Sequence, residues 1–182
     1  PVMIWSASGL THPLMAVARQ PNIKHRALPP RPLASPAAAL PLGEVLRRSG
    51  IETFNNARLI WLQDQPYYQV QLNAQQDPVG GGEVRYFALE DGAPLADGDQ
   101  LYAVALARHF LGDDAAQVRD VTLTEDFTST YKVINRLLPV YRVRFDRGDG
   151  IEVYVHTFSD RLATANDTWR KVNLWIFSQG HT

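Results

Sequence analysis

Residues 138–163 read LPVYRVRFDRGDGIEVYVHTFSDRLA. From Val140 to Asp146 apolar and polar residues alternate, the period of a half-buried strand. Gly148, Asp149 and Gly150 form a turn, residues 151–157 return as a second strand, and residues 161–164 offer a third. A helix does not fit this stretch. Before it, residues 118–123 read as a strand and residues 131–138 as helical or irregular chain leading to Pro139. After it, Trp169, Val172, Trp175 and Ile176 recur at helical spacing over residues 168–177.

The first half carries the same theme. Leu42, Val45 and Leu46 before Gly50 mark a short amphipathic helix with a glycine stop. Residues 57–63 and 67–72 are rich in strand formers around a turn expected at Asp64, Gln65 and Pro66. Gly80, Gly81 and Gly82 interrupt the chain before a third strand at 84–89. Asp91 and Gly92 turn it again. Asp97 and Asp99 supply helix-start chemistry for a helix through Phe110, with Leu101, Val104, Ala105 and Phe110 apolar and Gly112 as the stop.

The 182 residues carry a formal charge of −1, with 18 Lys+Arg against 19 Asp+Glu. That balance argues against a dedicated nucleic-acid binder, which needs a basic surface to neutralise phosphates. The absence of cysteine excludes disulfide scaffolds, thiolate metal sites and cysteine nucleophiles. No apolar run approaches the ~18 residues of a membrane span, and no basic region precedes Val2, Met3, Ile4 and Trp5 as in a signal peptide. Opening on Pro1, the chain is expected to be an excised piece or a processed product. Residues 1–41 stand apart from the rest. They hold Ile4, Trp5, Leu10, Leu14, Met15 and Val17 as an apolar patch, and Pro21, Pro29, Pro30, Pro32, Pro36 and Pro41 as an extended strap that cannot run as helix.

The two halves can be laid over one another. YQVQL at 68–72 matches YRVRF at 141–145, and YFALEDGAPL at 86–95 matches YVHTFSDRL at 154–162 with one gap. On these hairpins the chain resembles the PepSY family, whose module is a helix, a strand pair with a Tyr-x-Val-like hairpin and a Tyr-Val-Asp-Pro-x-Thr-Gly-like end. The departures are His156 for Asp, Thr157 for Pro and Asp160 for Gly. SGLTHPLM (8–15) and WRKVNLWIFSQGHT (169–182) are similar to segments flanking the spans of PepSY-associated membrane proteins. The resemblance covers roughly residues 8–15 and 42–182.

It implies an α+β fold of two PepSY-like modules, each a helix packed on a small antiparallel sheet, at 42–112 and 113–182. It also implies an extracytoplasmic, non-catalytic domain on the periplasmic face of a bacterial inner membrane, anchored by spans outside this sequence. In relatives of this kind haem in the spans reduces ferric siderophores, so the parent would be a membrane oxidoreductase and this fragment would hold no cofactor of its own. The alternative is a module that inhibits or regulates proteases, with residues 73–83 as its loop. The expected partners are the spans of the same chain and a ferric siderophore or a peptide, not nucleic acid. Against the extracytoplasmic placement, Arg19, Lys24, Arg26 and Arg31 form a basic, acid-free stretch, although long translocated domains are partly exempt from the charge rule.

On that resemblance Arg142, Arg144 and Arg147 are candidates for attracting an anionic chelate, with Tyr141, Tyr154 and His156 on the same hairpin. Alternating arginines are also what a solvated strand face carries. His12, His181, Trp169 and Trp175 are expected near the membrane, where the two histidines are either simple interfacial residues or face a metal or haem edge. His156 shares a strand face with Tyr154 and is either a core-edge residue or part of a binding face. His109 reads as a helix-surface residue complementing the dipole. Trp61, Tyr67, Tyr68 and Tyr86 lie on expected strands and pack a core or present an aromatic face. The acidic pairs sit in turn contexts that cap helices or face solvent. No metal-binding, phosphate-loop or nucleophile-elbow motif occurs.

Overall fold

The computed structural model describes residues 21–24, 27–33, 35–72 and 82–172. Pro41 leads into α1 (Leu42–Arg48), which has Glu44 in its first turn and Arg47 and Arg48 in its last. These charges suit the helix dipole, and the Glu44 carboxylate accepts hydrogen bonds from both arginines. The strands β1 (Asn56–Leu62), β2 (Gln65–Gln71) and β3 (Val84–Ala88) follow as an antiparallel sheet in that order. The β1–β2 turn is Gln63 and Asp64, both at positive φ (50° and 64°). Such a two-residue mirror-image turn matches the strand twist. It corrects the expected turn by about one residue: Pro66 lies inside β2, opposite Trp61.

Helix α2 (Gly98–Leu111) ends at Gly112, whose left-handed φ of 72° lets its N–H reach back to the carbonyls of Arg108 and His109. The strands β4 (Val118–Thr124), β5 (Val140–Phe145), β6 (Glu152–His156) and β7 (Arg161–Asn166) then form a second antiparallel sheet, also in sequence order. The fold is therefore α+β with two antiparallel sheets. Between β4 and β5 the irregular reading of 131–138 corresponds to one 3-10 turn, Val133–Asn135. Residues 168–172 are helical.

Alternation along each strand decides what it packs against. Ile60, Leu62 and Tyr86 of the first sheet, Ala103, Leu106, Ala107 and Phe110 of α2, and Val143, Phe145, Val153 and Val155 of the second sheet form one buried core. Helix α2 is thus shared by both sheets. The opposite face of the first sheet buries Val70, Leu72 and Phe87 against Val45 and Leu46 of α1. The opposite face of the second sheet buries Val140 and Tyr154 under Tyr131, with the Tyr131 and Tyr154 rings stacked at 4.9 Å. Burial of these apolar groups at roughly 25 cal/mol per Å² is the main stabilising term.

The Pro-rich strap lies along this body, and the expectation that it holds no helix is corrected by one 3-10 turn, Pro36–Ala38, which a proline at its first position permits. Ile23 and Leu28 pack on the main core, the Lys24 N–H bonds the Phe110 carbonyl at 2.7 Å, and the Leu40 N–H bonds the Leu89 carbonyl at 2.8 Å. Tyr68 donates its hydroxyl to the Leu40 carbonyl at 2.9 Å. Among the described residues no helix is long and apolar enough to cross a membrane.

Candidate functional site

The start of α2 is built for close approach. Asp97 takes a left-handed conformation at φ 53° and makes no side-chain cap. Gly98 follows, and a Cβ there would stand 2.7 Å from Cγ of Tyr86. Only glycine lets the helix start lie on that ring, which brings the Asp99 carboxylate to 2.6 Å from the Tyr86 hydroxyl that donates to it. Tyr141 of the second sheet lies near the same carboxylate, whose charge, after burial, pushes its phenol up.

From Tyr86 the bonds run on. Gln69, fully buried and directly across from Tyr86 in the sheet, donates its amide to the Tyr86 oxygen at 2.6 Å and to the Thr157 carbonyl at 3.3 Å. Its amide oxygen accepts from Arg58 Nε. The two Nη atoms of Arg58 grip Asp160 at 2.6 and 2.7 Å, and Nη2 also reaches the Thr157 carbonyl at 2.7 Å. Tyr102 of α2 donates to Asp160 at 2.7 Å. The Arg58 guanidinium lies 5.5 Å from the Phe158 ring centre, a cation–π distance. Asp160 holds this position at φ 52°, a conformation glycine adopts at less cost.

Burial pushes the Tyr86 and Tyr102 phenols up, and the neighbouring carboxylates of Asp99 and Asp160 push them further. Both therefore stay protonated and act as hydrogen-bond donors. Burial alone would lower Arg58, but the bonds and charge of Asp160 outweigh it and leave the guanidinium raised. Burial lowers His156 below its ordinary 6.5, and its Nδ1 lies 2.6 Å from Ser159 Oγ. That contact spans three residues of one turn, and neither residue lines the cleft described next, so it locks the turn rather than arming a nucleophile.

A cleft of about 700 Å³ opens beside the network, walled by Tyr86, Phe87, Leu95, Asp97, Asp99 and Tyr141. Volume and mixed lining match small-ligand sites. Arg48 and Arg85 also border it, each already bonded to a glutamate, Glu44 and Glu83. The cleft can recognise and orient a molecule, and on its wall the Tyr86 phenol is bonded to the Asp99 carboxylate.

No family model, curated protein or solved structure matches the chain.

The expected site residues do not gather in one place. Tyr141 faces α2 and Asp99, whereas its neighbours Arg142 and Arg144 lie on the other face of the second sheet with Tyr154. Arg144 is clamped by both carboxylate oxygens of Asp120, at 2.9 and 2.6 Å from Nε. Arg147 pairs with Asp149 at 2.8 Å. His156 ends β6 beside the Asp160 turn. Trp169 is half exposed and shares a cavity of about 300 Å³ with Pro21, Asn22, Asp167 and Arg147. His12, His181, Trp175 and residues 73–81 lie outside the described residues.

Of the network, the expectations had singled out Tyr86 as a strand aromatic and Asp99 as helix-start chemistry. Arg58, Gln69 and Tyr102 were missed, and Asp160 entered only as a departure from a glycine. The signal available was weak: a charged residue, Arg58, within an otherwise apolar strand.

Proposed function

We propose that this chain is the extracytoplasmic, non-catalytic binding domain of a PepSY-type bacterial inner-membrane protein, with two helix-plus-sheet modules joined through α2. The observation that carries this reading is the meeting of the two chain arms. Pro21 and Asn22 of the strap and Asp167 and Trp169 after β7 line one cavity, and the Lys24–Phe110 backbone bond anchors the incoming arm beside it. Arms that leave a domain side by side suit a loop held between two spans. The exposed Trp169 ring suits an interfacial position.

In this reading the domain holds a ferric siderophore in the cleft, and tethering raises its concentration beside haem in the spans. The described residues do not themselves fit a haem: His156 is buried and bonded to Ser159, and His109 packs edge-on against Phe110. The electron carrier belongs to the spans, and the domain binds and positions.

The test is a reduced-minus-oxidised absorption spectrum of the full-length parent in detergent, followed by ferric-siderophore reduction with and without this domain. A haem spectrum with reduction that falls on deletion is expected. A flat spectrum overturns the reductase reading. A second reading, a protease-directed module, is favoured by β4. This seven-residue strand forms one edge of its sheet, with Leu123 exposed, and such an edge can pair with an extended peptide. Inhibition of a periplasmic protease by the purified domain would select it.

A further inference from the structure

The outer face of the second sheet carries a residue whose hydrogen bonding is incomplete. Arg142 lies mid-strand on β5, directly between Thr122 of β4 and Tyr154 of β6. Its Nε is buried and has no hydrogen-bond partner, the one such side-chain atom found among the described residues. Its Nη2 makes a single long contact, 3.4 Å to the Thr122 hydroxyl at the exposed edge of the group. A buried donor without an acceptor is uncommon in folded proteins, and a missing water or ion is among its usual causes.

Neither carboxylate nearby bonds Arg142 directly. Asp120 is held by Arg144 at 2.6 Å. Glu152 is held by Lys171 at 3.1 Å and accepts the Tyr154 hydroxyl at 3.3 Å. Four cations, Arg119, Arg142, Arg144 and Lys171, thus surround two carboxylates, Asp120 and Glu152; cations exceed acids here, and both direct ion pairs go to Arg144 and Lys171 rather than to Arg142. The Thr122 hydroxyl lies beside it as a further donor.

We propose that Arg142 anchors a small soluble oxyanion, a carboxylate or phosphate group, on the outer face of the second sheet. A modest turn of the guanidinium brings its Nε–Nη2 edge outward, where it can take two oxygens of such a group in the paired geometry arginine favours. This replaces the orphaned donor with two charge-assisted bonds. The site is separate from the cleft, and it stands whether or not the chain belongs to a membrane reductase.

The experiment is a titration of the ¹⁵N-labelled protein with inorganic phosphate, following the arginine Nε–Hε resonances, with sodium chloride at matched ionic strength as control. The expected result is a saturable shift at Arg142, little change at Arg144 and Arg58, and no effect of chloride. R142Q should lose the site with an unchanged melting temperature. R142K, which keeps the charge but not the fork, should bind roughly tenfold more weakly. A shift shared by all arginines, or reproduced by chloride, would mean charge screening and overturn the proposal. So would no shift at Arg142, or a shift produced by phosphatidylglycerol vesicles and not by phosphate.

Discussion

Arg58 and Arg142 look alike in the sequence, each a charged residue among strand formers, yet the structure uses them in different ways. Arg58 faces the junction of the two sheets, where Gln69, Thr157 and Asp160 accept its Nε and both Nη atoms. Arg142 faces outward, with one long contact and a buried Nε that bonds nothing. A charge that the fold surrounds with acceptors holds the fold together, because removing it strands those acceptors. A charge without them contributes little to folding and remains available to a ligand.

The strongest challenge to this contrast is Arg58→Ala. It removes the ion-pair partner of Asp160 and leaves the Thr157 carbonyl with only the long 3.3 Å bond from Gln69. Both members of the pair are only about a quarter exposed, so the loss should reach about 3 kcal/mol in urea unfolding. A loss near zero would mean that the junction does not depend on this pair. Next comes Gly98→Ala, which pushes a methyl into the Tyr86 ring and should cost about 2 kcal/mol. Near-UV circular dichroism of the tyrosines should report the displacement, and an unchanged spectrum would show that the helix start is not seated on that ring.

A smaller effect is expected from pH. Burial holds His156 below its ordinary 6.5, so the unfolded chain binds more protons than the folded one as the medium acidifies. Stability is full above pH 6.5 and is lost as pH falls toward the folded-state pKa. The urea midpoint should therefore drop between about pH 7 and about pH 5, and His156→Gln should flatten that part of the curve. An identical slope in the variant would remove His156 from the junction's electrostatics. The smallest change belongs to Arg142→Met, which keeps the apolar stem over the sheet and deletes the orphaned donor. It should shift stability by no more than about 0.5 kcal/mol. A cost equal to that of Arg58→Ala would collapse the comparison.

The candidate site was only partly readable in advance. Tyr141, Tyr154 and His156 belong to one hairpin in the sequence pattern and in the fold. Strand alternation then turns Tyr141 toward Asp99 and Arg142 away from it, so a list drawn from sequence neighbours divides between two faces. The network that joins the sheets could not be anticipated in the same way. Arg58 and Asp160 lie 102 residues apart, and nothing local at either position names the other. The misplaced turn has a local cause. Pro66 suggested a turn, but the left-handed pair Gln63 and Asp64 makes the shorter one, and Pro66 fits at the start of β2.

The sequence by itself determined the elements: period-two alternation made the strands, and Gly50 and Gly112 ended the helices where left-handed residues were needed. These are short-range effects of backbone sterics and side-chain polarity, so they act within a few residues. Only the tertiary structure decided that α2 serves both sheets, that Asp99 and Asp160 hold phenols from different elements, and that Arg144 finds Asp120 while Arg142 finds no acid. Those outcomes depend on which distant groups arrive within about 3 Å of one another, and that is settled by packing the whole chain.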